Sequence, residues 1–91
     1  MSLTIAGITF DNVRYDERGD VLYLNVGQPQ TAERGVETPE GHAVHFDADG
    51  AVIGLTLLNV KWTLERDGEI VLRWPQAHVA AQQLRPALTA A

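Results

Sequence analysis

The sequence predicts a mainly β domain of the α+β class: an antiparallel meander sheet of five to six strands with one C-terminal helix packed on one face. Three observations carry this expectation. Apolar and polar residues alternate with period two through much of residues 13–74, the repeat of strands that bury one face. Asp49-Gly50 and Asp67-Gly68 each stand between alternating runs, and an Asp-Gly pair there is the strongest short-range hairpin signal because both turn positions favour positive φ. After Trp74 the repeat lengthens, with Ala77, Ala80, Ala81, Leu84 and Leu88 on one helical stripe.

Taken in order, residues 1–12 form an N-terminal segment without an assigned element. Val13 and Tyr15 alternate with Arg14 and Asp16, and Glu17-Arg18-Gly19-Asp20 reads as a turn. Val21 to Val26 is apolar on both faces apart from Asn25, the pattern of a strand covered on its second face by a helix or a partner. Gly27 to Gly41 is rich in Gly, Pro, Gln and acids and reads as loop, with a short edge strand near Thr31–Arg34. His42 to Phe46 resumes the alternation, Ala48-Asp49-Gly50 turns, and Ala51 to Leu58 is again strand. Residues 13–60 make up this β region.

Residues 61–74 are expected to form a second hairpin. Val60, Trp62 and Leu64 alternate with Lys61, Thr63 and Glu65, and Ile70, Leu72 and Trp74 follow the turn. A three-residue turn at Arg66-Asp67-Gly68 sets Trp62 against Leu72 and Val60 against Trp74, so all the apolar partners share one face. On that reading Trp62 is core, and its truncation to Ala costs roughly 3–5 kcal/mol. The helix is expected over residues 75–85. Pro75 suits its first position, Pro86 disfavours helical geometry at Arg85, and residues 86–91 remain as a tail. About ten helical residues are not stable alone, so this helix must dock on the sheet.

The whole chain of 91 residues makes one domain. With no cysteine there is no disulfide framework, thiolate nucleophile or cysteine-ligated metal. No apolar run approaches the roughly 18–20 residues that span a bilayer, and no signal peptide follows Met1, so a cytoplasmic location is expected. Residues 1–60 hold three arginines against nine acids, while residues 61–91 hold four basic residues against three acids. A net charge of −5 repels phosphate backbones and argues against nucleic acid as a partner. Its plain reading is solubility; its sharper one is attraction to a basic protein.

Each candidate chemical site has a plainer reading beside it. Placing Gly50 at the sixth position of a calcium loop puts Asp47 third and Asp49 fifth. Positions one and twelve are then His45 and Thr56, where the loop needs Asp and Glu, so both aspartates read as turn formers. His42 and His45 lie three apart on a strand and point to opposite faces, so they cannot share a metal ion, and His78 stands apart. Asp16, Glu17 and Asp20 could serve acid–base chemistry, yet acids in short turns are mostly solvated, with Asp20 placed to cap backbone N–H groups. Ser2 is the only serine and lies at the terminus, and neither Gly-rich phosphate-loop spacing occurs. No catalytic, cofactor-binding or metal-binding residue is therefore assigned.

Tyr15-Asp16, Asp20-Val21-Leu22-Tyr23-Leu24 and Phe46-Asp47-Ala48-Asp49-Gly50-Ala51-Val52-Ile53-Gly54-Leu55 together resemble the DUF2283 family of small bacterial proteins, whose pattern reads roughly YDxxxDxLYI…DxDGxIVGIEIL. The resemblance covers about residues 13–60. It implies a compact, mostly β domain and no assigned activity. Where family members often carry Glu, this chain has Thr56. Tyr15, Leu22, Tyr23, Val52, Ile53 and Gly54 read physically as core and turn positions.

The role that these readings favour is a protein-interaction module that self-associates as a homodimer, because Val21–Val26 and Val52–Leu58 present apolar side chains to two faces and one helix covers only part of one. The alternatives are an acidic, antitoxin-like partner of a basic protein, and a small-ligand binder or enzyme with a pocket near Tyr15, Tyr23, His42 or His45.

Overall fold

The structure, a computed structural model, describes residues 1–28, 34–73 and 76–89. It is mainly β, as expected, and a five-stranded antiparallel sheet forms its centre. β3 (Asn12–Asp16), β4 (Val21–Asn25), β5 (Arg34–Glu37), β6 (Ala43–Phe46) and β7 (Val52–Leu58) lie in the order β3-β4-β7-β6-β5. The β3–β4 and β6–β7 hairpins form at the turns read from the sequence, pairing Asp16 with Val21 and Phe46 with Val52. The sheet is two meandering pieces rather than one. The chain leaves β4 for the far edge at β5 and returns, so that β7 lies against β4 with Leu22 opposite Leu57 and Leu24 opposite Leu55. β5 begins at Arg34, and the residues proposed before it, 31–33, lie outside the described residues.

The DxDG turn holds itself. One Asp47 carboxylate oxygen accepts the N–H groups of Asp49 (2.9 Å) and Ala51 (3.0 Å), and Gly50 takes φ +83°, which costs glycine nothing. Turn chemistry accounts for Asp47 completely.

Two smaller antiparallel pairs flank this sheet. In the N-terminal segment, to which the sequence reading gave no element, β1 (Leu3–Ile5) and β2 (Ile8–Phe10) pair across Ala6-Gly7, both at positive φ. Ile5 and Phe10 from this hairpin are buried. At the other end β8 (Glu69–Arg73) pairs with β9 (Gln76–Ala80), matching Ile70 with Val79 and Leu72 with Ala77.

Residues 61–74 are not a hairpin, which corrects the expectation. Val60–Asp67 is a helix, α1, that buries Val60 and Leu64. These two are four apart and therefore share a helical face, whereas the period-two reading also counted Trp62, which is 57% exposed. Gly68 does not turn a hairpin; it ends the helix at φ +78°, its N–H donating to the Leu64 carbonyl at 2.8 Å. The pairing of Trp62 with Leu72 is accordingly absent. Trp74 lies outside the described residues, so its proposed pairing with Val60 does too.

The C-terminal helix exists but lies later than residues 75–85. Residues 76–80 are strand because Ala77 and Val79 face the core while His78 faces out, and β-branched Val79 favours a strand. The helix, α2, is Ala81–Thr89 and continues through Pro86. Leu84 and Ala87 are buried on either side of that proline, with Ala81 and Leu88 packed beside them, and this packing offsets the single helical N–H that proline lacks. The Gln83 side chain accepts the Ala80 N–H at 3.1 Å, half of a capping box at the helix start.

One face of the central sheet, with Leu22, Leu24, Val44, Phe46, Leu55 and Leu57, joins Ile5, Phe10, Val60, Leu64, Ile70, Leu72, Val79 and Leu84 in a single buried cluster. The two small hairpins and both helices therefore supply the cover for one side of the sheet. α2 packs on β3 and β9, and α1 on β8. Among the described residues no helix is long and apolar enough to cross a membrane.

Candidate functional site

The acids of the first turn divide their work. Asp16 accepts the Arg18 N–H at 3.2 Å, an ordinary turn bond. Asp20, at φ +56°, does more. Its main-chain carbonyl accepts the Val60 N–H at 3.2 Å, and its carboxylate accepts the N–H groups of Lys61 (2.8 Å) and Trp62 (3.1 Å). The first three N–H groups of a helix have no partner within it, and here a single residue far upstream in the chain takes all three. Asn59 precedes the helix in left-handed geometry and offers no side-chain cap.

The Tyr15 hydroxyl donates to the same carboxylate at 2.7 Å. Burial, then this hydrogen bond and the surrounding charges of Asp20, Glu17 and Asp16, push the phenol well above its ordinary value, so it remains a donor. Burial pushes the Asp20 carboxyl up, but the bonds from Tyr15, Lys61 and Trp62 and the charge of Lys61 outweigh it, and the net shift is downward. Both groups are thus committed to holding α1. Beside them a groove of about 650 Å³ opens, lined among others by Tyr15, Glu17, Lys61, Leu64, Arg85 and Leu88. Its charges are mixed, two basic and two acidic when Glu65 is included.

His42 is buried just before β6, and its Nδ1 accepts the Leu58 N–H at 3.0 Å. That bond requires an unprotonated Nδ1. Burial lowers the imidazole below its ordinary value, against a smaller upward pull from Glu40. A second groove, about 360 Å³, runs past His42, Leu58, Trp62, Arg66 and Val71. Trp62 lies on its wall with the Arg66 guanidinium 4.4 Å from the ring centre, and Arg66 is held in turn by Asp67.

Tyr23 and His45 lie elsewhere, on the sheet face opposite the core, and line neither groove. The four residues offered as anchors of a ligand pocket are therefore split three ways: Tyr15 lines the first groove, His42 the second, and Tyr23 and His45 neither. Period two explains the split: Tyr15 pairs with Leu22 and faces the core side, so Tyr23, one residue on, faces away.

That second face was invisible as a unit in the sequence. Across it run two rows set by the strand registers. One is Arg14, Tyr23, Thr56, Ala43 and Glu37; the other is Asn12, Asn25, Gly54, His45 and Gly35. The Arg14 guanidinium stacks 4.3 Å over the Tyr23 ring, and His45 Nε2 is hydrogen-bonded to Thr56 Oγ1 at 3.2 Å. The centre of the face is flat because Gly54 has no room for more. A Cβ there would stand 3.0 Å from Asn25 Nδ2, 3.2 Å from the Leu24 carbonyl oxygen and 3.4 Å from the His45 ring. Val21, Tyr23 and Ala43 remain partly exposed and outside the core cluster, and Leu58 is 38% exposed at the end of β7. The signal that could have revealed this face is the interruption of two-sided apolar strands by Asn25, Gly54 and Thr56. Each sits where a second buried layer would have required an apolar residue.

Residues 12–61 match the family model described as a protein of unknown function, DUF2283. No curated protein and no solved structure matches the chain. The matched segment ends where the helix begins, so Asp20 and the N–H of Lys61 that it holds both lie within it.

Proposed function

Because the chain belongs to the DUF2283 family, whose description carries no activity, we propose from the geometry alone that it is a protein-interaction module that self-associates through the open face of its central sheet. The observation that carries this reading is that face itself: flat at Gly54, ringed by half-exposed Val21, Tyr23 and Ala43 and by exposed Leu58, while the protein's own helices and hairpins cover the opposite side. Aligned packing of two such faces is the architecture of a β-sandwich. The chemistry of the side chains beside the grooves favours contact over catalysis. Tyr15, Asp20 and His42 are each engaged in holding backbone or cap, and Arg66 and Asp67 beside the second groove are paired with each other.

Size exclusion with light scattering across a concentration series tests it. The expected result is a concentration-dependent rise from the 10.0 kDa chain toward twice that mass. A species that stays at the chain mass into high micromolar concentration overturns the proposal.

A further inference from the structure

The open face is complementary to itself in only one orientation. Resting on the self-association proposed above, we infer that two copies pack face to face about a two-fold axis parallel to β7, with Arg14 of each protomer against Glu37 of its partner.

The row Arg14, Tyr23, Thr56, Ala43, Glu37 crosses the whole face. Its ends carry opposite charges and sit on the two edge strands, β3 and β5, about 19 Å apart at a strand spacing of ~4.8 Å. Neither charge has an ion-pair partner among the described residues. An isologous interface pairs residue i with j and j with i. A two-fold axis running along β7 between the sheets exchanges left for right, and each Arg14 then meets a Glu37. The same operation lays the large Tyr23 over the small Ala43, with Thr56 on the axis. An axis at right angles to the strands would instead set Arg14 against Arg14, Glu37 against Glu37 and Tyr23 against Tyr23. It would repel at both edges and set bulk against bulk at Tyr23 and gap against gap at Ala43. Charge and size therefore select the same axis.

The face measures about 19 Å by 17 Å over five strands and five residues, well short of the ~800 Å² per partner of a standard tight interface. A face this small makes a weak, transient dimer, sensitive to ionic strength because the ion pairs lie at the rim.

Sedimentation velocity on the full chain and on R14E and E37R tests the orientation, with circular dichroism to confirm that each variant is folded. Either single charge reversal places two like-charged pairs across the axis and is expected to raise the dimer dissociation constant roughly tenfold or more. Mixing the two variants in equal amounts should restore dimers, since one variant then carries acids at both ends of the row and faces the other, which carries arginines at both. If wild type forms dimers that neither reversal weakens, or if the mixture fails to recover them, the axis is wrong although self-association stands. If wild type never dimerises, the functional proposal itself has failed. Should a reversal prevent folding, Arg14→Gln and Glu37→Gln serve instead: each must weaken the dimer, and an unchanged dissociation constant in both overturns the orientation.

Discussion

Replacing Asp20 with alanine removes a long-range helix cap, and the geometry allows its cost to be worked out. Three losses contribute. The N–H groups of Lys61 and Trp62, at 2.8 and 3.1 Å, lose a charged acceptor, worth about 1–2 kcal/mol for a cap. The Tyr15 hydroxyl loses its partner at 2.7 Å, worth about 1 kcal/mol at a partly buried site. Alanine must also take φ +56°, a left-handed geometry that Asp and Asn tolerate and that costs alanine about 1 kcal/mol more. The expected destabilisation is about 3 kcal/mol, or a fall in Tm of roughly 10–20 °C for a domain of this size. Asp20→Asn retains one acceptor and the backbone preference, so about 1 kcal/mol is expected. Urea unfolding followed by circular dichroism measures both. The charge adds a pH dependence whose sign is set by the lowered folded-state pKa. The carboxylate contributes fully above its ordinary value of 3.8 and loses that contribution as pH falls through the lower folded value, so the gap between wild type and Asp20→Asn should close in strong acid. An alanine variant within about 0.5 kcal/mol of wild type, the range of ordinary surface changes, would refute the assignment of Asp20 as the cap.

Three further outcomes are expected. Trp62→Ala should cost no more than about 1 kcal/mol, since its ring is exposed, whereas Leu64→Ala should cost about 2–4 kcal/mol; paired thermal melts distinguish a helix here from a hairpin with Trp62 in its core. Gly54→Ala should destabilise by about 1–3 kcal/mol, because its Cβ meets the fixed Leu24 carbonyl oxygen at 3.2 Å, and chemical denaturation reads it directly. His42, whose folded pKa lies below the ordinary 6.5, contributes stability that is present above 6.5 and is lost as pH falls through its lower folded value, the unfolded chain taking up the proton first. Melting temperatures across that range should therefore drop less in His42→Gln than in wild type; equal slopes would contradict the burial argument.

Where the fold could be read from the sequence, the relevant interactions were local. Asp47 caps its own turn two and four residues on, so the β6–β7 hairpin is written in five residues. α1 could not be read this way. Its alternation Val60, Trp62, Leu64 fits a strand, its true period shows only in the pair Val60 and Leu64, and its cap comes from Asp20 rather than from Asn59 beside it. Asp67-Gly68 then supplied a turn signal where glycine in fact ends a helix. β1–β2 escaped notice because Ala6 takes positive φ, which alanine seldom does. The candidate site was hidden for a different reason. Which residues share the open face depends on how β4 registers against β7, a pairing of strands separated by more than twenty-five residues. Tyr23 and His45 are both candidates on sequence grounds, but only that register sets Tyr23 opposite Thr56, the residue to which His45 is hydrogen-bonded.

The coat over the buried side of the sheet consists of separate pieces, and this shapes how the molecule breathes. A two-stranded ribbon has little stability of its own in water, so β1–β2 and β8–β9 persist only while Ile5, Phe10, Ile70 and Val79 stay seated. Each can lift without unpairing the central strands, giving partial openings that lie below the global unfolding free energy. Amide protons of β4 and β7 should be the last to exchange with deuterium, and those of the two ribbons should exchange much sooner. A ribbon that lifts bares leucines on the covered side, so transient clumping in a warm, concentrated sample would start from the side facing away from the proposed dimer contact.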